Sequence, residues 1–365
     1  MKSNEIHSSI KSLLQQGTFI PAHPLALHQN LKLDEPRQRL LTRYYMASGT
    51  GGVAVGVHTT QFEIRKPEIN LLEPVLRIAA EEIENAKLNR PFIKVAGICG
   101  PTDAALREAE LAVKYGYHLG LVSMGGLAEH SEVELIKRIV AIAEIIPVFG
   151  FYLQPAVGGR ILSYDFWRSF SEIPNVHAIK VAAFNRYQTL DVVRAVCNSS
   201  RRDEIVLYTG NDDNIVADLV TPYRFTINDE IIEKRFVGGL LGHWAVWTKK
   251  SVELFQEIKE CIVNNSGIEN LLAKGITITD MNAVIFDAAN SFKGCIAGIH
   301  EVLRRQGLLK GIWCLSQEEK LSLGQAEEIN RIYKQYPGFT DDEFVKQFLH
   351  EQHKLPEPSV KVTVS

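Results

Sequence analysis

The sequence has few cysteines, and none close together: Cys99, Cys197, Cys261, Cys295 and Cys314 are its five, with no CxxC pair. That scatter excludes a disulfide framework or a zinc ribbon and fits reduced thiols in a cytoplasmic chain. There is no basic run either. Forty Lys and Arg against 43 Asp and Glu leave a net charge of −3, and a nucleic-acid partner is not expected, because phosphate binding needs clustered cations. No stretch approaches the roughly 20 apolar residues that cross a bilayer. The nearest, 139–153, contains Glu144 and Pro147. The N-terminus, MKSNEIHSSIKSLL, lacks an apolar core followed by small residues, so neither membrane association nor secretion is expected. No GxGxxG follows the first apolar run, which argues against a dinucleotide site, and no cofactor is expected. His23, His58 and His243 have no HxH, HxxxH or companion carboxylate spacing, so no metal site is expected.

What is present is an alternation. The chain has 365 residues, 45% hydrophobic and 23% charged, the balance of an ordinary globular protein. Apolar, β-branched runs stand at 17–22, 51–57, 92–98, 119–124, 146–152, 175–183, 204–210 and 236–242. Between them, segments such as Ala104–Tyr115, Glu132–Ile145 and Tyr187–Val196 repeat apolar residues at i, i+3 and i+4. Several of the runs are apolar on both alternating positions, as in a parallel sheet covered on both faces. Eight such units predict an α/β fold, a (β/α)8 TIM barrel, over residues 1–265. After that no strand is evident. Ile268–Ala273, Ala283–Arg305, Gln317–Tyr336 and Asp341–His353 read as helices of a C-terminal appendage over 266–353, and 354–365, with two prolines, as a loose tail. The segment 221–235 is longer than a bare connection needs and is expected to cover an opening of the barrel.

Barrel active sites form at the C-terminal ends of the strands. In strand order those ends offer His23, His58-Thr59-Thr60, Cys99, Ser123, Tyr152, Lys180 and Asn211-Asp212. Lys180 lies in the apolar run VHAIKVAAF. Burial disfavours its charged form, and a neutral amine can attack a carbonyl and form a Schiff base. A snorkelling lysine or a buried ion pair fits the same local sequence equally well. Tyr152 could shuttle protons to a reacting amine, or pack with its hydroxyl at the rim. Thr59 and its neighbours can hold a carboxylate through hydroxyl and N–H groups, or make an ordinary threonine turn. Gly158, in a Gly-Gly pair, lets the backbone approach a ligand or simply turns the chain.

Together these motifs resemble the dihydrodipicolinate synthase/N-acetylneuraminate lyase family, Schiff-base aldolases on a (β/α)8 barrel. PNVHAIKVAAF at 174–184 resembles the family's lysine motif and implies that Lys180 forms the imine. YLQPAVGG at 152–159 resembles YNxPxRTG and implies a catalytic Tyr152, 28 residues before the lysine, which agrees with the family spacing. VHTTQF at 57–62 resembles the GTTGE loop, implying a catalytic role for Thr59 and substrate contacts from His58 and Thr60; Gly158 and Leu241 complete the expected substrate contacts. GTFIPAHPL, ASGTGGVAV and LSQEEKLSL extend the likeness over nearly the whole chain. The departures are specific. The motif arginine is Val157, with Arg160 three residues on; the tyrosine after the fourth strand is replaced by Met124-Gly125-Gly126; and the motif glutamate is Val181. The resemblance implies a lyase, aldolase or dehydratase acting on a 2-keto acid (pyruvate-type), an aldehyde or a related small carbonyl compound, as a homodimer or homotetramer. Two alternatives remain: a barrel that binds a small acid without turnover, and a true 4-hydroxy-tetrahydrodipicolinate synthase. A metal-dependent barrel hydrolase is a third.

Overall fold

The computed structural model describes residues 5–352; the expected tail at 354–365 and residue 353 of the last expected helix lie outside them. In chain order the elements are α1 (Ser8–Gln16), β1 (Phe19–Pro21), α2 (Glu35–Ser48), β2 (Gly52–Val55), α3 (Leu72–Asn85), β3 (Ile93–Ile98), α4 (Thr102–Lys114), β4 (Leu119–Ser123), α5 (Glu132–Ala143), β5 (Val148–Leu153), α6 (Tyr164–Phe170), β6 (Val176–Ala182), α7 (Arg186–Cys197), β7 (Val206–Thr209) and α8 (Ile215–Val220). There follow β8 (Tyr223–Ile227), β9 (Glu230–Lys234), β10 (Phe236–Leu241), α9 (Thr248–Asn264), α10 (Ile268–Ile285), α11 (Cys295–Arg305), α12 (Gln325–Gln335) and α13 (Asp342–Gln352).

Eight strands pair in parallel in the order β1-β10-β7-β6-β5-β4-β3-β2. A parallel bridge between Ala22 and Ala54 joins the two ends of that sheet and closes the ring. All eight apolar runs of the sequence are barrel strands, as expected. Each strand sends alternate residues to the barrel interior, among them Phe149, Phe151, Ala178, Ala182 and Tyr208. The intervening residues, such as Tyr152, Ile179, Val181 and Leu241, pack under the outer helices. Those helices start on built caps. Ser131 and Glu134 form a reciprocal capping box on α5, and the Asn185 side chain accepts from the Tyr187 and Gln188 N–H groups at the start of α7. The first helix, α1, plugs the N-terminal end: Ile10 and Leu14 join the interior cluster, and the Tyr208 hydroxyl donates to the Leu14 carbonyl at 2.8 Å.

Three expectations are corrected: the helix expected over Gln317–Tyr336 begins only at Gln325, as α12, and the other two concern the segment 221–235 and the helix Ala283–Arg305. The segment 221–235 is an antiparallel hairpin, β8–β9. It packs against α7, and Lys234 and Arg235 bond to the carbonyls of Arg202 and Val220. It leads into the N-terminal end of β10, the end opposite the strand ends that carry chemistry. The expected continuous helix Ala283–Arg305 is broken. Its first residues finish α10, then Asp287, Ser291 and Phe292 take positive φ values of 57°, 57° and 65°, a conformation a helix cannot continue. This break lays Phe286 and Phe292 across the barrel mouth.

Candidate active site

At the C-terminal ends of the strands lies a cavity of about 50 Å³, room for a few waters or a small organic group. Among the described residues, Lys180 is the one lysine that lines it. On β6, Ala178 and Ala182 flank Lys180 on the interior face, and their small side chains leave the lysine stem free to rise toward the mouth. The stem crosses Gly210, where a Cβ would stand 2.5 Å from Lys180 Cε and 2.8 Å from Ala182 Cβ. A glycine at the end of β7 is therefore what lets the lysine lean that way. The Lys180 Nζ lies 4.4 Å from the centroid of the Phe151 ring, a cation–π contact in its protonated form. The residue is 7% exposed. Burial lowers the pKa of its amine, and the nearby Asp212 carboxylate opposes that fall.

Asp212 is the counter-charge. Its carboxylate accepts the His243 N–H at 2.9 Å and is also held by the Gly242 backbone. Its own N–H donates to the Gly210 carbonyl at 3.2 Å, and its carbonyl accepts from Asn282 Nδ2 at 2.6 Å. Burial raises the pKa of this carboxyl, against the His243 N–H and the Lys180 charge, which lower it. A buried amine whose pKa is depressed and a buried acid whose pKa is raised form the kind of pair that exchanges a proton in catalysis. The sequence marks Asn211-Asp212 as a polar strand end but gives neither a role. Asn211 is structural: its Oδ1 accepts the Phe184 N–H at 2.9 Å and its Nδ2 donates to Asp218 at 2.9 Å.

The other expected residues divide. Thr59 and His58 line the cavity with Lys180. Burial, and then the Lys180 charge, push the His58 imidazole down to about 4, so it is a neutral ring at pH 7. Thr60 does not face a ligand: its hydroxyl donates to the His23 carbonyl at 2.7 Å and accepts the Gly56 and Val57 N–H groups, fixing the loop that presents its neighbours. Tyr152 is on the opposite face of its strand from Phe151. Its ring packs 5.2 Å from Trp167 and its hydroxyl accepts the Leu162 N–H at 3.4 Å, beneath α6. Side chains alternate along a strand, so one residue of offset exchanges the interior for the exterior; Phe151, not Tyr152, pairs in register with Lys180. Leu241 is likewise on the outer face, and Gly242 takes its place at the cavity. Gly158 is a left-handed cap residue with φ 89°, outside the cavity wall; a Cβ at Gly125 would stand 2.4 Å from its carbonyl. Arg160 donates to the Leu127 and His130 carbonyls at 2.8 and 2.9 Å and ties the β4 loop down, while Val157 lines the cavity. His23 bonds to the Pro24 carbonyl and to Thr42 in the core. Among the described residues no cluster of three or more His, Cys, Asp or Glu could hold a metal ion.

The broken helix supplies the ceiling. Phe286, Phe292, Cys295 and Ile299 close the cavity from the C-terminal segment, residues to which the sequence assigns no role. Above them a second cavity of about 520 Å³ is lined by Glu63, Lys293, Glu318 and Glu319 among others, and His58, Val157 and Phe292 form a wall common to both.

No protein-family model matches the chain. It is similar to the 4-hydroxy-tetrahydrodipicolinate synthase of Aromatoleum aromaticum, 27% identical over 203 residues, and to that of Azoarcus sp., 28% identical over 212 residues. Each match takes in 55% of this chain and 66% of the relative's length. Among solved structures, the dihydrodipicolinate synthase of Oceanobacillus iheyensis superposes with a TM-score of 0.69 at 16% identity, covering 89% of this chain and 98% of that one. The N-acetylneuraminate lyase of Fusobacterium nucleatum does so with a TM-score of 0.67 at 17% identity, covering 90% and 100%. The structural likeness bears out the (β/α)8 barrel with its helical C-terminal part.

Proposed function

We propose that this chain is a divergent member of the dihydrodipicolinate synthase/N-acetylneuraminate lyase family, an aldolase-type lyase that works through an imine on Lys180; the likeness to the curated synthases and to the solved synthase and lyase structures supports the reading. One observation carries the reading: a buried lysine amine, depressed in pKa by desolvation, lines a small cavity at the C-terminal mouth of the barrel together with a buried carboxyl.

The neutral amine attacks the carbonyl carbon of a small substrate and gives a carbinolamine. The protonated Asp212 carboxyl delivers a proton to the leaving hydroxyl, water departs, and the iminium forms beside the Asp212 carboxylate. The iminium draws electrons from the adjacent carbon–carbon or carbon–oxygen bond, which breaks or forms through the enamine. Thr59 and the neutral His58 ring orient the substrate by hydrogen bonding. Asp212 thereby takes the proton-carrying role expected of Tyr152. A binder without turnover would also have a chamber free of a phenol, but the Asp212 carboxyl beside Lys180 favours chemistry. The test is incubation with a panel of small ketones, aldehydes and 2-keto acids under cyanoborohydride, followed by intact-mass measurement. A stoichiometric adduct that is lost in Lys180→Ala supports the lyase; no adduct with any of the panel overturns it.

A further inference from the structure

The carboxyl that shares the cavity with Lys180 stands on a turn that the C-terminal segment fastens. Asn282, on α10, is 2% exposed and 70 residues along the chain from Asp212. Its Nδ2 donates to the Asp212 carbonyl at 2.6 Å. Three residues earlier, on the same side of the helix, the Thr279 hydroxyl donates to the Asp213 carbonyl at 2.9 Å. The other end of the Asn282 amide meets His243. The two side chains interact, and among the described residues neither Asn282 Oδ1 nor His243 Nδ1, both buried, has another hydrogen-bonding partner. Burial keeps the His243 ring neutral at pH 7. Its Nε2 faces the Ser251 hydroxyl at 3.4 Å, so the single ring proton belongs on Nδ1, where Asn282 Oδ1 accepts it.

One amide therefore spans two loops, the turn after β7 and the turn after β10, and sets their spacing. That spacing matters because the His243 N–H donates to Asp212 Oδ1 at 2.9 Å. Asn282 holds the donor and the acceptor of that bond at once, gripping His243 by its ring and Asp212 by its carbonyl. Both grips are buried, so losing either leaves a polar group with neither water nor partner. The ionisable groups around the carboxyl are Lys180 on β6, Asp213 beside it, the His243 ring and the Cys295 thiol of α11. Asn282 carries no charge and does not line the cavity, so its influence on the reaction is geometric.

We propose that Asn282 is a positioning residue: by tying the Asp212 main chain to the His243 ring it keeps the Asp212 carboxyl on the His243 N–H, in the cavity wall with Lys180, and so makes the C-terminal helical segment part of the site. The proposal rests on Lys180 forming the imine with Asp212 as its proton donor. In that step the carbonyl carbon bonds to Nζ, the Asp212 proton goes to the departing hydroxyl, and water leaves. Added cyanoborohydride then delivers the hydride that fixes the iminium as a secondary amine.

The test is a double-mutant cycle on the trapping of Lys180 by acetone and cyanoborohydride, read as the modified fraction of the Lys180 peptide by mass spectrometry. Exposed lysines of the same sample serve as the internal reference for reagent strength. Asn282→Leu keeps the volume and removes both hydrogen bonds. It is expected to slow trapping about fivefold or more in the unaltered background and less than about twofold in the Asp212→Asn background. The fall in rate at high pH moves upward in Asn282→Leu, because the carboxylate loses the His243 N–H that stabilises it. Leu271→Ala, at a buried residue of the same helix, controls for lost stability: it lowers the melting temperature and leaves the pH profile in place. Equal slowing by Asn282→Leu in both backgrounds, or an unmoved profile in the folded variant, overturns the positioning role while leaving the imine intact. Lys180 unlabelled in the unaltered protein, with exposed lysines modified, removes the imine reading. The hold on the carboxyl is then decided by carbon-13 titration of Asp212 in aspartate-labelled protein, where a midpoint raised in Asn282→Leu supports it and an unmoved one overturns it.

Discussion

The Lys180 Nζ sits 4.4 Å from the centre of the Phe151 ring, on the neighbouring strand and in register with it. The two side chains share the barrel interior, and the phenol of the next residue is on the other side of the sheet, against Trp167. The amine is held against an aromatic face, with the Asp212 carboxyl lining the same cavity and no phenol among its described lining residues.

Tyr152→Phe therefore leaves imine formation within about twofold of the unaltered protein. It removes only the hydroxyl that accepts the Leu162 N–H, a loss of roughly 1 kcal/mol of stability. Single-turnover trapping with a small ketone and a denaturant titration check the two halves separately. A tenfold or greater loss of trapping with stability unchanged would put the phenol back at the reacting centre.

Gly210→Ala does the reverse. The added methyl would stand 2.5 Å from Lys180 Cε, so the lysine stem or the strand end must shift. Overpacking of this kind costs about 1–3 kcal/mol. Trapping at Lys180 is expected to fall tenfold or more while circular dichroism retains the barrel signature.

The pH dependence follows from the two buried groups. Burial depresses the Lys180 amine and the Asp212 carboxylate holds it up, so the rate of trapping rises with pH on a limb set below the 10.5 of the unperturbed lysine, and falls again as the Asp212 carboxyl that supplies the proton is ionised. In Asp212→Asn the opposing charge and the proton donor are both gone, so the rising limb moves to still lower pH and the fall at high pH is lost. Measuring the half-maximal pH of the rising limb in both proteins tests the sign; a shift upward in the variant would contradict the pairing.

How much of this was legible in the sequence depends on what each signal encodes. Apolar runs and helical stripes report burial, and burial fixed the eight strands and the order of their helices. Lys180 was legible because a charge inside VHAIKVAAF needs an explanation wherever it points. The interval of 28 residues from Tyr152 was misleading, because it counts residues and not faces. The pairing of β5 with β6 steps from Val148–Val176 to Phe149–Ala178, passing over His177; that irregularity is invisible in the sequence and contributes to bringing Phe151 into register with Lys180. Asp212 was visible as a polar strand end, but its partners come from Gly242, His243 and Asn282, far along the chain. The ceiling was hidden for a different reason: Ala283–Arg305 has a helical apolar stripe, and only the left-handed residues at 287, 291 and 292 break it.

Acid stability is set largely elsewhere. His23, His243 and His300 are buried, and burial pushes each down to about 4 from 6.5. The unfolded chain takes up protons on these rings between those values and the folded chain does not, so stability is full above pH 6.5 and is lost as pH falls toward 4. The limit is on the order of 3 kcal/mol for each ring. Thermal unfolding followed from pH 7 to pH 4 checks this, and a melting temperature flat across that window would contradict it.

The measurement that bears most directly on the account is peptide mapping of the protein after reduction in the presence of a small ketone. The account predicts one modified site formed far faster than all others, Lys180, abolished by Lys180→Ala and slowed in Asp212→Asn. Modification spread evenly over the exposed lysines, with Lys180 untouched, would contradict it.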